Sequence, residues 1–397
     1  MIRILLLAFS LAAFVSPLSG AAAGRDKPSS KIPTEMPGFS TDDLRGLADL
    51  ISRTGVSADA IPALYRPRYM SVSDADLSMD NEDIVFIVEY PGNLVRIYPR
   101  RVLVWHEAVN DAAPGDESRL PPTPLAGEPG NGGENRTVTY SPLTGSVVGF
   151  RSMAGRYPSS FGVSGNLLNG NSVLYDRISR SLWVQLMGLC VEGPFLGKRV
   201  ARIPVLSARW KGVKSRYGGM DPRFTGRAEV LSRSTGFKRT YGKDPYGNYT
   251  RKDTYYDDDR LPFAVDRLDT RLPPKTRILG LELGNAFGAV LKDEVRRSRV
   301  INFTLGATPL TAIHDVEIDA VRVFERALQG LEQPLSFTIF EDRLVDEQSK
   351  SEWRPDGECI YGRLRGRTLK PVLAIDSMWF AWASFYKNTR IFPGSAF

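Results

Sequence analysis

The sequence predicts an α+β fold, mostly antiparallel β, arranged as two pseudo-repeated halves that each carry a Trp-bearing helix. Three observations predict it. Short runs of β-branched and aromatic residues alternate with Gly, Pro and Asn turns along most of the chain. The segment GLCVEGPFLG at 188–197 returns as GECIYGRLRG at 357–366. At that constant offset, Gly188, Cys190, Gly193, Gly197, Trp210, Ser215 and Tyr217 meet identical residues, seven in thirty positions, where average usage gives about two.

The 397 residues are 42% hydrophobic and 24% charged, a globular composition long enough for two domains. Residues 1–23 read as a signal peptide: Arg3, an apolar run from Ile4 to Val15, then Ala21, Ala22 and Ala23. That run is too short to span a bilayer, and no later run reaches about 18 apolar residues. No cysteine follows the run to carry a lipid anchor. The expectation is a periplasmic or secreted protein with no transmembrane segment after leader cleavage. The formal net charge of +7 is spread among interleaved acids, so no nucleic acid is expected as a partner. Cys190 and Cys359 occupy matching points of the two copies. Each reads as a small apolar residue beside a glycine turn, and an exported chain leaves a disulfide open as well.

Residues 24–75 read as a linker and an N-terminal helix, capped by Thr41, with Leu44, Leu47, Leu50 and Ile51 on one face. The first repeat, 76–235, opens with a hairpin over 84–98. Pro99 then starts a helix carrying Val102, Leu103, Trp105, His106 and Val109. Residues 112–135 form a Pro/Gly/Glu-rich loop. Strands follow at 136–140, 146–150, 161–164, 172–176 and 181–185, and Ser207 caps a helix bearing Trp210, Val213 and Tyr217. A Tyr/Gly-rich connector, 236–275, includes Asp257, Asp258 and Asp259. They lack the glycine and terminal glutamate of a calcium loop and read as a solvated run. The second repeat, 276–397, ends on a helix capped by Asp376 and carrying Trp379, Trp382 and Tyr386. FGVSGNL and NSVLYDR of the first repeat show no counterpart between 337 and 351. This assigns the site to the first repeat and a scaffold role to the second.

Six ordered motifs carry a resemblance: WHEAVND (105–111), TYSPLTGS (139–146), FGVSGNLLN (161–169), LYDR (174–177), SLWVQ (181–185) and TGFKRTYGKDPYGNY (235–249). From about Pro62 to WFAWASFY (379–386), the chain resembles an exported bacterial and archaeal family, domain of unknown function 3179. The resemblance implies no activity. The family pattern has cysteines where this chain has Ser141 and Thr144, so a thiol, redox or thiolate-metal role is not expected here.

The densest polar cluster is His106, Glu107, Asn110 and Asp111. On a helix, His106 and Asn110 share one face and Glu107 and Asp111 the next row. A base oriented by a carboxylate, or a divalent-metal site of His106, Glu107 and Asp111, fits that pattern, as does a plain helix C-terminus. With His314 the only other histidine, an imidazole-rich metal site is not expected. Ser141 in its turn suits a nucleophile with His106 as base and Glu107 or Asp111 as orienter, making a hydrolase or transferase. It equally suits a side chain bonding its own turn. Gly162, Gly165 and Asn166, with Asn169 to Ser172, suggest an amide nest beside Ser164, and Ser164, Gly165 and Asn166 are expected to bind ligand. Tyr140, Tyr175, Trp183 and Gln185 would then wall a groove for a small molecule, glycan or peptide. The favoured expectation is an envelope binding or scaffold protein with its groove in the first repeat; no cofactor is identified.

Overall fold

The computed structural model describes residues 41–90, 92–111, 135–219, 221–247 and 254–393. The leader and the 24–40 linker lie outside the described residues, as do 112–134 of the Pro/Gly/Glu segment. The chain opens with α1 (Thr41–Asp49), β1 (Leu64–Tyr65), β2 (Tyr69–Met70) and α2 (Val72–Asp76). There follow β3 (Ile84–Tyr90), β4 (Leu94–Pro99), α3 (Arg100–His106), β5 (Ala108–Asp111), β6 (Arg136–Ser141) and β7 (Ser146–Arg151). Next come β8 (Met153–Ala154), β9 (Tyr157–Pro158), β10 (Phe161–Leu168), β11 (Asn171–Asp176), β12 (Leu182–Val184) and β13 (Leu189–Glu192). Then β14 (Arg202–Ile203), β15 (Leu206–Arg209), α4 (Trp210–Tyr217) and β16 (Arg227–Leu231). Beyond the connector run β17 (Arg277–Leu283), β18 (Ala286–Leu291), α5 (Lys292–Ser298), β19 (Val300–Leu305), β20 (Thr308–Asp315) and β21 (Ala320–Glu325). The chain closes with β22 (Phe337–Phe340), β23 (Arg343–Asp346), β24 (Glu352–Trp353), β25 (Cys359–Tyr361), β26 (Lys370–Pro371), β27 (Ala374–Met378), α6 (Trp379–Phe385) and β28 (Arg390–Phe392).

The fold is β-rich, and its sheets are mostly antiparallel, as the α+β reading expects. The hairpin β3–β4 is built from Ile, Val and Phe, and it turns through Gly92 and Asn93, both at positive φ. β15 adds antiparallel to β3 and β16 parallel to β4. On the other side of the connector, β27 adds antiparallel to β17 and β28 parallel to β18. The order β10-β11-β12-β13 likewise recurs as β22-β23-β24-β25.

Strands from both sides of the connector share the largest sheet, where β7 meets β27 at Val147 and Asp376. Two backbone bonds cross in opposite directions. Met378 N–H donates to the Thr144 carbonyl at 2.9 Å, and Arg209 N–H donates to the Ile318 carbonyl at 2.8 Å. The largest core cluster is shared too, with Phe161, Trp183 and Leu186 packed among Trp379, Trp382 and Tyr386. Gly280 in β17 makes room for this: a Cβ there would lie 2.1 Å from the Trp382 ring. Trp210 instead fills a smaller core with Val213, Ile87 and Ile318.

Ser207 and Asp376 are not helix caps. They lie within β15 and β27, and the helices begin after Arg209 and Met378. Strand pairing with β3 and β17 extends two residues past the polar position and overrides local capping preference. Cys190 and Cys359 are buried free thiols, and burial pushes the Cys190 thiol up to about 12.

The second half does carry a counterpart of the LYDR–SLWVQ stretch, contrary to the sequence reading. Asp176 accepts from Ser179 Oγ at 2.7 Å, Ser181 N–H at 3.1 Å and Trp183 Nε1–H at 3.0 Å. Asp346 accepts from Ser349 Oγ at 2.7 Å, Ser351 N–H at 3.1 Å and Trp353 Nε1–H at 3.0 Å.

Candidate functional site

The chain changes period at the end of α3. Glu107 takes a left-handed conformation, φ 55°, and its N–H closes the helix on the Leu103 carbonyl. The chain continues as β5, so His106, Glu107, Asn110 and Asp111 do not share helical rows. In a strand, Asn110 and Asp111 point to opposite faces. His106 spends both ring nitrogens elsewhere, 2.7 Å from the Pro62 carbonyl and 2.7 Å from the Tyr241 hydroxyl. Burial brings its pKa down to about 4. Asp111 is fully enclosed by Arg96 Nη1 at 2.6 Å, Tyr98 OH at 2.6 Å and Tyr90 OH at 2.8 Å. Asn110 clamps the Phe161 backbone, accepting from its N–H at 2.8 Å and donating to its carbonyl at 2.9 Å. The expected metal trio is therefore dispersed. Among the described residues, no three His, Cys, Asp or Glu side chains form a metal-holding group.

Ser141 and His106 are not assembled as nucleophile and base. Ser141 Oγ accepts from Ser172 N–H at 3.1 Å and contacts Ser172 Oγ at 3.1 Å; Ser172 Oγ in turn donates to Glu107 Oε2 at 2.6 Å. Burial raises the Glu107 carboxyl to about 7, against the Ser172 bond. The three side chains are enclosed. Gln185 joins a neighbouring buried network: its Oε1 accepts from Ser146 Oγ at 2.8 Å and Asn171 Nδ2 at 2.9 Å.

The expected amide nest is part of β10. Ser164 Oγ donates to the Val173 carbonyl at 2.5 Å and accepts from Asn166 N–H at 3.1 Å. Residues 52–59 cover its other edge: Ser52 N–H donates to the Leu167 carbonyl at 2.8 Å, and Asp59 N–H to that of Val163 at 2.9 Å. A Cβ on Gly165 would lie 2.3 Å from the Val56 carbonyl oxygen. Tyr175 OH donates to Asp59 Oδ2 at 2.5 Å, and Trp183 belongs to the Asp176 knot. The predicted groove in the first half is thus filled by the chain's own residues.

Of the predicted side chains, Tyr140 alone lines one of three clefts described here. A cleft of about 480 Å³ carries Arg216, Arg223, Arg299, Arg322 and Arg354 against Glu89, Asp221, Asp315, Glu317 and Asp356, five against five. A second, about 470 Å³, balances Arg100, Arg101 and Lys243 against Asp80, Glu82, Asp83 and Asp244. The third, about 250 Å³, differs. Arg100, Arg209, Arg277, Lys292 and Arg296 face it with only Asp319 and Asp376, beside the apolar Ile84, Phe86 and Ala208.

Both sides of the connector supply this third cleft. Arg100 and Lys292 are the first residues of α3 and α5, each placed directly after a hairpin. Lys292 pairs with Asp376. Arg209 and Arg296 share Asp319, at 3.3 and 2.9 Å. Burial works against ionising Asp319, but hydrogen bonds from His314 and Arg296 prevail and hold it well below the usual carboxylate range. Tyr140 OH accepts from Arg100 Nε at 2.8 Å, and its own proton meets no acceptor among the described residues. Burial raises the Tyr140 phenol, opposed by Arg100. Sequence reading missed the basic residues because no local pattern marks them. The available signal was the matching Arg100 and Lys292 after the two hairpins.

Fold and cleft together define a β-rich protein with a small cationic recess enclosed by strands from both parts of the chain. The chain belongs to the protein family of unknown function DUF3179, which matches residues 58–128 and 130–389. No curated protein and no solved structure matches it. Among the described residues, no helix is long and apolar enough to cross a membrane.

Proposed function

We propose that this chain is an exported binding protein whose ligand is a small molecule seated in the third cleft. The observation that carries the reading is the Tyr140 hydroxyl. It is 1% exposed, lines the cleft and retains a proton with no acceptor among the described residues. A buried donor left in that state costs about 1–3 kcal/mol, and a bound acceptor would relieve it. Ser207 adds a second hydroxyl to the lining. At about 250 Å³ the cleft lies below the usual span of drug-sized sites, which favours a small molecule over the glycan or peptide first considered. Export rests on the leader character of residues 1–23. A tandem duplication is supported by the recurring strand orders and the matching Asp176 and Asp346 knots, with the ligand held between the copies.

Native mass spectrometry of the chain recovered from its own envelope tests the reading. The expected result is a non-covalent small-molecule adduct, absent from a folded Ser207→Trp variant whose indole fills the cleft. Adduct-free spectra for the parent, or an adduct unchanged by Ser207→Trp, would refute it. N-terminal sequencing of the same material should begin after Ala23.

A further inference from the structure

Resting on that binding reading, we infer that the ligand is a small organic anion with an apolar body, its charged end among the cleft's basic side chains. The charge count points there. Five cationic side chains line the third cleft; Arg100 pairs at 2.6 Å with Asp244, outside the lining, which leaves Arg209, Arg277, Lys292 and Arg296 against two carboxylates, whereas the other two clefts are near balance. Arg209 and Arg296 divide one carboxylate, Asp319, between them. Their other partners, Glu82 and Asp293, are largely exposed, where solvent screens the attraction. Like charges crowded beside apolar walls raise the free energy of the empty cleft, and a bound anion offsets that.

The remaining lining fixes the kind of anion. Phe86 and Ile84 form an apolar wall, and the Phe86 ring lies 5.2 Å from that of Tyr140. Tyr140 can donate its proton to an anionic oxygen from this side. A carboxylate or phosphate monoester carrying a ring or short chain satisfies both walls; a bare inorganic ion satisfies one. A ligand of about a dozen non-hydrogen atoms suits a site just below the usual range.

The test compares benzoate and phenyl phosphate with neutral benzamide, by thermal unfolding and calorimetric titration of the full mature chain. Benzoate or phenyl phosphate should bind at least tenfold more tightly than benzamide. Tyr140→Phe, Arg277→Met and Arg296→Gln should each weaken the anion by about tenfold, the scale of one charge-assisted hydrogen bond. The unliganded melting temperature of each variant checks that it folds. General salt stabilisation persists in Ser207→Trp, whereas cleft binding is lost there. Benzamide binding as tightly as benzoate would overturn the anion inference and leave the binding reading intact. Absence of Ser207-sensitive binding by all three probes would overturn the inference, while an adduct in native spectra would still uphold the binding reading.

Discussion

Ser172 donates a 2.6 Å hydrogen bond to the buried Glu107 carboxyl group, and this is the only side-chain bond Glu107 receives among the described residues. Burial lifts that carboxyl from 4.5 to about 7. Between those values the unfolded chain releases the proton and the folded chain keeps it, so stability falls as pH rises through the window. The full penalty above pH 7 is about 3 kcal/mol. Glu107→Gln removes it. Urea unfolding should show the variant's advantage over the parent growing by about 2 kcal/mol from pH 5 to pH 8. An advantage independent of pH would refute this.

His106, one residue earlier, has the opposite slope. Burial lowers its pKa from 6.5 to about 4. The unfolded chain therefore binds a proton that the folded chain refuses, and stability is lost as pH falls from 6.5 towards 4. The two neighbours compensate between 4.5 and 6.5. His106→Gln should leave the Glu107 slope exposed, so that stability rises steadily on acidification across that interval. A curve parallel to the parent's would count against the assignment.

Asn110 ties β5 to β10 through both atoms of its amide, with Thr137 Oγ1 donating to the same Oδ1 at 3.0 Å. Asn110→Ala strands the Phe161 N–H in the interior and leaves its carbonyl with the Tyr65 hydroxyl, 3.3 Å away. The expected loss is about 2 kcal/mol in chemical denaturation, from one orphaned backbone donor and one lost hydrogen bond. Asn110→Asp keeps the acceptor and loses the donor, and should fall between parent and alanine.

The knots at Asp176 and Asp346 should respond alike. Each carboxylate gathers Ser, Ser and Trp donors from the seven residues that follow it. Asp176→Ala and Asp346→Ala are each expected to cost about 3 kcal/mol. Fluorescence of Trp183 or Trp353 should change with its own knot. A large loss at one knot and none at the other would show that the matched geometry does not carry matched energy.

At Gly280 the issue is volume. A methyl group would collide with the Trp382 ring, and overpacking a close-packed core costs roughly 1–3 kcal/mol. Gly280→Ala should lower the melting temperature, and pairing it with Trp382→Leu should recover part of that loss.

The β-rich class, the hairpin at 84–98, the strands about the SPLTG turn and the family were legible in the sequence, because alternation and turn residues report local geometry. The helix boundary at His106 was not. Its apolar spacing runs on through Val109, and a left-handed Glu107 has no sequence signal of the kind Gly or Asn supplies. Asn110 and Asp111 read in sequence as members of a polar site cluster, but both are buried in structural hydrogen bonds. The Asp346 knot escaped notice for a simpler reason. Trp183 pairs with Cys190 and Trp353 with Cys359, one residue fewer, so no single offset aligns both knot and glycine motif. The basic cleft is assembled from long-range neighbours and left no local trace.

The reciprocal backbone bonds, Met378 to Thr144 and Arg209 to Ile318, bear on what the peptide between the two parts is for. In each part the end of one strand docks on a turn of the other, so a clasp exists independently of covalent continuity. Protease nicking within that peptide should leave both pieces locked together and co-migrating until denatured. Neither piece expressed by itself would find anything to seal its raw sheet margin.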